Sequence, residues 1–566
     1  QMLTGSVREV FLALVVALGL VLLIACANVA NLLLARCLAR QHEFSVRAAL
    51  GASRWRLVQQ LFAEGALLSV LGCAAGFGLA SWAVAGVRLL PADTIPRSEE
   101  IGVHWQVVLI LAAIATATTI LSAILPALLV SRTGPQGALL ASSRGAGTRS
   151  IRRHLSAFLV SGEVALSALL LVATGLLFHT LWNLEHAQLG FDVSHVTTFI
   201  AMPADASGFS NMTVTKDTEH APPSVATLFY KPALDSMRAM PGVQDAALDT
   251  SPPLSGLQMG TSFRVVGEPQ DKEHAYEARM TAVSGGYARL MGTPIVRGRM
   301  ISDDDTPSAP PVIVVNETLA RKFFGAKDPI GLQIDLGGAQ TGILKLPTVI
   351  GVIADQIDKS VSAPPDPLIM IPYQQVPTTS IYYQALLKTI VNFLVKTRTD
   401  IAVAPVARSV FRQAAPDYAL DNFQTMQQAV DQSNFSRSLG LYLIAAFAGL
   451  AVLMVVAGLY GVLAQIVSTR RREFGIRLAL GASPGGILGM VLRQGLGFIS
   501  AGIVVGIVIA LFAGKLVRSF LYHVNPSDAW TYAGVVTILL LVGAAAALLP
   551  ARRAASVEPM AALRDE

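Results

Sequence analysis

The chain has 566 residues, 53% of them hydrophobic and only 14% charged, with a mean hydropathy of +0.55. A soluble domain carries about 25% charge, so the composition excludes an ordinary soluble protein and points to a polytopic membrane protein. The net charge is +6, but residues 181–435 hold 19 basic and 25 acidic side chains while the remainder has a net of +12; that is a positive-inside pattern, and without an aromatic-interleaved basic tract it argues against nucleic acid as a partner.

The opening Gln1-Met2-Leu3 lacks the basic n-region and cleavage site of a secretory signal. The first apolar run predicts a span over Val10–Leu34, long enough for the roughly 20 residues a bilayer needs. Asn28 and Asn31 stand inside it at i,i+3, on one face. Amides at that depth hold helices together; contact with a transported polar group is the other reading. Arg36 and Arg40 follow, and then Glu43-Phe44-Ser45-Val46-Arg47-Ala48-Ala49-Leu50-Gly51-Ala52-Ser53. Glu43 and Arg47 can pair at i,i+4. Val46, Ala49 and Leu50 make an apolar stripe, and Gly51 suits a left-handed cap. The stretch reads as a short amphipathic helix on the cytoplasmic face, with a basic membrane turn as the plainer alternative.

A second span is predicted over Ala63–Leu89, where Gly65, Gly72, Gly76, Gly78 and Gly86 thin one side for close helix packing. The acidic loop 91–104 is placed outside. A third span covers Trp105–Val130, and the arginine-bearing stretch 132–154 reads as an inside, flexible Gly/Ser-rich linker. The fourth span is Leu155–Leu181. Glu163 in its inner half could snorkel, pair with a neighbouring helix or mark a proton path; pairing is favoured, since no second ionisable residue nearby completes a relay.

Residues 182–435 have the texture of a soluble fold and form the predicted external domain. Strands are expected at Val196–Met202, Gln244–Asp249, Thr389–Thr397 and Tyr418–Phe423. Helices are expected at Ser224–Met240, with Ser224 as N-cap and Pro241-Gly242 as stop, and at Ala402–Ala415. Two strand–helix–strand units thus bracket a middle section. That section, about 255–385, has short strands at Val312–Val315, Leu346–Val352 and Leu368–Pro372 among Gly/Pro turns, and reads as an inserted, mostly β subdomain.

Three more spans follow, Leu439–Val467, Ile487–Phe512 and Trp530–Leu549. After the fifth come Arg470, Arg471 and Arg472, and then Glu473-Phe474-Gly475-Ile476-Arg477-Leu478-Ala479-Leu480-Gly481-Ala482-Ser483, which repeats the earlier motif at an offset of 430. Leu125-Pro126-Ala127 and Leu549-Pro550-Ala551 repeat at 424, so spans 1–3 correspond to spans 5–7. Residues 1–150 and 436–566 are therefore two related membrane units, with the fourth span (151–181) and the external domain between them. The first unit has no counterpart here of the fourth span and external domain, which is the expected mark of a truncated gene or chain. Charge placement puts the N-terminus of this chain in the periplasm and its C-terminus in the cytoplasm.

Cys26, Cys37 and Cys73 all lie in or beside spans, so the external domain has no disulfide framework, and no metal spacing is present. No GxxxxGK[ST], HExxH or GxSxG motif occurs. Asp303-Asp304-Asp305 lacks the glycine and glutamate of a calcium loop and reads as a solvated turn. The expectation is a chain with no catalytic residues and no cofactor of its own.

Leu23-Ile24-Ala25-Cys26-Ala27-Asn28-Val29-Ala30-Asn31-Leu32-Leu33-Leu34-Ala35-Arg36, with Glu43 to Ser53, resembles the FtsX-like permease domain of MacB-type ABC transporters, nearest to the duplicated orphan permeases. Val315-Asn316-Glu317-Thr318-Leu319-Ala320-Arg321-Lys322-Phe323-Phe324, Asp328-Pro329-Ile330-Gly331 and Ile350-Gly351-Val352-Ile353 resemble the MacB periplasmic core domain. The resemblance implies a bacterial inner-membrane permease with about seven transmembrane helices and a mixed α+β extracytoplasmic domain. It implies permease units that pair within the chain or as a homodimer, a separate ATP-binding subunit as partner, and a periplasmic adaptor or outer-membrane channel beyond. By position, Glu43, Arg47, Leu50 and Gly51, and Glu473, Arg477, Leu480 and Gly481, would be coupling-helix residues that transmit ATP-driven motion for export or periplasmic mechanical work. The alternative is a non-transporting membrane regulator whose external domain activates a partner such as a cell-wall hydrolase.

Overall fold

The computed structural model describes residues 2–39, 54–87, 105–132, 146–203, 224–256, 259–267, 276–343, 345–399, 401–516 and 521–557. Four helices come first: α1 (Met2–Ala39), α2 (Arg54–Val87), α3 (Trp105–Arg132) and α4 (Ala146–Glu185). Strand β1 (Val196–Pro203), helix α5 (Lys231–Arg238) and strands β2 (Val243–Asp249), β3 (Gly260–Val265) and β4 (Tyr276–Val283) follow. Then come β5 (Ile295–Gly298), β6 (Val312–Asn316), β7 (Ile334–Asp335), β8 (Thr348–Ile353), β9 (Leu368–Pro372) and β10 (Val391–Thr397). Helix α6 (Val403–Ala414) and strand β11 (Tyr418–Thr425) lead to α7 (Met426–Thr469), α8 (Arg471–Ala479), α9 (Pro484–Leu516) and α10 (Ala529–Ala555). The chain divides into two compact units, Gln1–Trp182 with Arg437–Glu566, and Asn183–Ser436.

In the first unit, seven helices among the described residues are long and apolar enough to cross a membrane. Such runs fold as helices because hydrocarbon offers no hydrogen bonds, so the backbone must satisfy its own groups. The packed centre is built on α4: Val160, Val164, Ala168, Val172 and Leu176 are buried against α7, α9 and α10 residues such as Leu459, Ile499, Ile503 and Leu539. A second cluster joins α1 to α4 and α7 through Ala17, Val21 and Ile24, with Leu170 and Ile444, Ala448 and Ala451. Two expectations need correction. Residues 146–154, read as linker, are the first turns of α4; with Gly147 the one strong breaker there, extending a long helix by single residues costs less than starting a new element. The seventh helix runs through Pro550 to Ala555, because a proline near a helix end removes one hydrogen bond without ending the turn. Loop 91–104 and residues 133–145 lie outside the described residues.

The second unit is a mixed sheet ordered β11-β1-β10-β2-β4-β9-β6-β8-β5, with β3 paired to β4 and β7. Pairs β4–β9 and β6–β8 are parallel, and the flanking β11-β1-β10-β2 ladder is antiparallel. The strands of the middle section join that ladder at one residue pair, Asp249 opposite Val283, yet the hydrophobic core runs through both parts. Phe199 stacks on Phe393 at 5.5 Å and Phe411 meets Phe393 edge-on at 5.1 Å; each buried ring contributes about 1.5–3 kcal/mol. The helix expected over 224–240 begins instead as a π turn, Ala226–Tyr230, before α5. Pro232 is the reason: it brings no N–H to the ladder and its ring crowds the carbonyl four residues back. The Asp303–Asp305 turn is ion-paired. Arg299 grips Asp305 with two bonds of 2.8 Å, and Arg238 meets Asp303 at 2.9 Å. Burial pushes the Asp305 carboxyl up, but the Arg299 and Ser302 hydrogen bonds outweigh it and hold it below the usual range.

Candidate functional site

The second copy of the repeated motif forms α8. Arg470 breaks the helix path after α7 with φ −108° and ψ 11°, so the short helix leaves in a new direction. Glu473 and Arg477 pair at 2.6 Å, and Arg470 approaches Glu473 at 3.6 Å. The pair fixes a polar face, although exposed i,i+4 pairs contribute only about 0.3–0.5 kcal/mol. Gly481 has φ +92°, the left-handed region its missing side chain permits. Around it, Gly481 N–H bonds the Leu478 carbonyl at 3.1 Å and Ala482 N–H the Arg477 carbonyl at 2.9 Å, closing the helix. Ser483 Oγ then accepts from Gly486 N–H at 3.2 Å, opening α9.

The apolar stripe of this motif does not face the bundle. Phe474 is 1% exposed and sits in the core shared with α9 and α10. Ile476 is 41% exposed and Leu480 82% exposed. Phe474, with Leu478 packed beside it, therefore anchors α8, while Ile476, Leu480 and the Glu473–Arg477 pair are left on its outer surface. Residues Glu43, Arg47, Leu50 and Gly51 of the first copy lie outside the described residues.

The sequence also singled out Asn28, Asn31 and Glu163, and the structure brings them together. Asn31 Nδ2 donates to Glu163 Oε1 at 3.4 Å, and Asn28 Nδ2 to the Met454 carbonyl at 3.0 Å. Glu163 thus pairs with a neighbouring helix, as its reading favoured. The partners on α7, Met454 and Gly458, were missed. Neither carries a signal by itself, but the 430-residue offset maps Asn28 onto Gly458 and could have found it.

In the external unit, a buried polar cluster went unpredicted. Arg279 is ion-paired with Asp358 and donates to Ser251 Oγ at 2.8 Å. Asp249 accepts from Ser251 N–H at 2.8 Å and from the Thr281 hydroxyl. Burial pushes the Asp249 and Asp358 carboxyls up, against the hydrogen bonds and the Arg279 charge. The cluster stands beside the Asp249–Val283 joint of the sheet, which gives it a structural task. Among the described residues no group of three His, Cys, Asp or Glu side chains could hold a metal ion.

Comparison with known proteins covers most of the chain. Residues 165–411 match the MacB-like periplasmic core domain, and residues 15–135 and 445–559 each match the FtsX-like permease C-terminal domain. The pyoverdine export ATP-binding/permease protein PvdT of Pseudomonas aeruginosa is 27% identical over 293 residues, 51% of this chain and 43% of that protein. The macrolide export ATP-binding/permease protein MacB of Hahella chejuensis is 25% identical over 52% of this chain and 44% of its own. The ABC transporter permease YknZ of Bacillus subtilis is 23% identical over 62% of this chain and 88% of its own. The chain thus spans less than half the length of the first two relatives. Among solved structures, the periplasmic region of MacB from Actinobacillus actinomycetemcomitans matches 43% of this chain and 94% of its own, at 16% identity and a TM-score of 0.27.

Proposed function

Since the chain belongs to the FtsX-like permeases with a MacB-like periplasmic core domain, an inner-membrane ABC transporter family, we propose that it is the membrane subunit of an ATP-driven exporter whose ATP-binding subunit is a separate protein. The observation that carries this is α8. A helix anchored by Phe474 in the bundle and presenting Ile476, Leu480 and a Glu–Arg pair outward transmits force on its outer face directly to α9 and α10. By its repeated sequence, Glu43–Ser53 is the second point of engagement. The positive charge of Arg470–Arg472 and Arg552–Arg553 supports a cytoplasmic α8 and C-terminus and a periplasmic N-terminus of this chain. The chain itself catalyses no reaction. Its use is export of a lipophilic or peptide-like substrate, handed to a periplasmic adaptor or outer-membrane channel.

The test is affinity capture from native membranes, probed for an ATP-binding subunit, followed by ATPase measurement of the reconstituted pair. Reversing Arg47 and Arg477 to Glu, or replacing Leu480 by Glu, should abolish stimulation while leaving membrane insertion intact. Undiminished stimulation in the variants would remove α8 from the docking surface. A captured ATPase with a cell-wall hydrolase in place of an adaptor would favour the regulator over the exporter.

A further inference from the structure

Among the described residues, the internal repeat brings a polar residue of the membrane bundle against its own counterpart. The offset of 430 pairs Asn28 with Gly458 and Ile24 with Met454. In the structure, Asn28 bonds the Met454 carbonyl, and a Cβ added to Gly458 would lie 2.4 Å from Asn28 Oδ1. Here α1 and α7 cross, and the crossing is this close because residue 458 has no side chain.

A third helix reaches the same point. Glu163 of α4 is fully buried. Its Oε1 accepts from Asn31, while its Oε2 has no donor and lies 2.4 Å from that same Gly458 Cβ position. Two acceptor oxygens, Asn28 Oδ1 and Glu163 Oε2, therefore converge over Gly458. Turning the Asn28 amide over does not relieve this, because its oxygen would then face the Met454 carbonyl. The polar groups facing Glu163 are Asn28 and Asn31 from α1, above the Gly458 backbone of α7. Among the described residues no basic side chain is paired with it.

Two acceptors brought to one point in a low dielectric repel unless a hydrogen lies between them. We propose that Glu163 is held as the carboxylic acid and that its Oε2–H is donated to Asn28 Oδ1, closing a three-helix clamp over Gly458 that locks the two permease repeats together. The bound proton is the ligand of this site. Moving α1 off α7 strands a donor and an acceptor in hydrocarbon, so the crossing has a closed state and an open state with little between them. The clamp uses no residue of α8 and stands whether or not an ATPase docks there.

The full chain in lipid nanodiscs at neutral pH gives the test. In wild type, infrared absorption should contain the carbonyl stretch of a protonated carboxyl that disappears in Glu163→Gln. That variant should melt within a degree or two of wild type, because its amide N–H replaces the acid proton as donor to Asn28. Glu163→Leu and Gly458→Ala should each melt several degrees lower, the first for want of a donor and the second because a methyl group displaces both oxygens. An infrared difference lacking the protonated-carboxyl band, or a Glu163→Gln protein as unstable as Glu163→Leu, would overturn the proposal, since the first makes Glu163 a charged group and the second shows that a donor to Asn28 is not what holds the helices.

Discussion

The two repeats of the membrane unit share a glycine register and differ in what fills it. At an offset of 430, Gly65, Gly72 and Gly76 of α2 match Gly495, Gly502 and Gly506 of α9. The first pair behaves alike. A Cβ on Gly65 would meet Leu33 at 3.8 Å, and one on Gly495 would meet Leu463, the repeat counterpart of Leu33, at 3.0 Å. The other pairs diverge. At Gly502 a Cβ would lie 2.5 Å from the Ser161 carbonyl of α4, and at Gly506 it would lie 2.7 Å from that of Ala165. At Gly72 and Gly76 it would meet nothing within 4 Å among the described residues. Small residues in a span are thus a record of close helix approach, and the first repeat keeps the record at a face whose second-repeat equivalent is covered by α4.

The largest expected effect tests whether the short helices are also equivalent. Phe474 is a fully buried anchor, and Phe474→Ala should destabilise the bundle by about 3–5 kcal/mol. Its repeat counterpart is Phe44. Phe44→Ala, measured by the same detergent melt, should cost as much if the first copy is seated the same way. A cost near zero would mean that the two motifs share a sequence and not a role. Leu480→Ala is the control: at 82% exposure it should leave the melt unchanged.

The glycine comparison predicts the next effect. Gly502→Leu or Gly506→Leu drives a side chain into the α4 backbone, and overpacking of this kind costs about 1–3 kcal/mol, occasionally more. Gly72→Leu and Gly76→Leu should be neutral in the purified chain. If they are as damaging there as the α9 variants, the face is covered in the membrane by another helix, and the difference between the repeats disappears.

How much of this was legible in sequence depends on the range of the interaction involved. The spans were legible because hydropathy over 20 residues is a local property. Glu473, Arg477 and Gly481 were legible because pairing at i,i+4 and a left-handed cap are decided within one or two turns. The direction of α8 was not. Phe474 and Ile476 are both apolar, and only the presence of α9 and α10 decides which is buried. Glu163, Asn28 and Gly458 come from three helices, so their meeting is a property of the bundle. The Arg279–Asp358 pair likewise has no local pattern. In 146–154 glycine and arginine content suggested a linker, and adjacency to a long helix decided otherwise.

The smallest effect separates the helix starts. At an offset of 424, α3 begins at Trp105 and α10 at Ala529, so the residues before them, His104 and Asp528, are counterparts. Asp528 Oδ2 caps α10, accepting from Thr531 N–H at 3.1 Å and from its hydroxyl at 2.6 Å. The Thr531 hydroxyl bond is the main reason that carboxyl is held below the usual range; burial opposes it, and the Thr531 N–H and His179 add to it. Histidine is not among the favoured N-cap residues; His104 itself lies outside the described residues. Asp528→Ala should cost about 0.5–2 kcal/mol, and Asp528→Asn, which still accepts the bonds, should be nearly neutral at pH 7. The pH dependence has a definite sign. A lowered folded value means the carboxylate's contribution is complete above the unfolded value near ~3.9 and is lost as the pH falls through the lower folded value. Melting curves taken down through that window should therefore show wild type losing its advantage over Asp528→Ala, while Asp528→Asn keeps its own. Placing the same cap on the first repeat, as His104→Asp, should raise the melting temperature by a comparable small amount; no gain there would mean that the start of α3 differs from that of α10 in more than its cap.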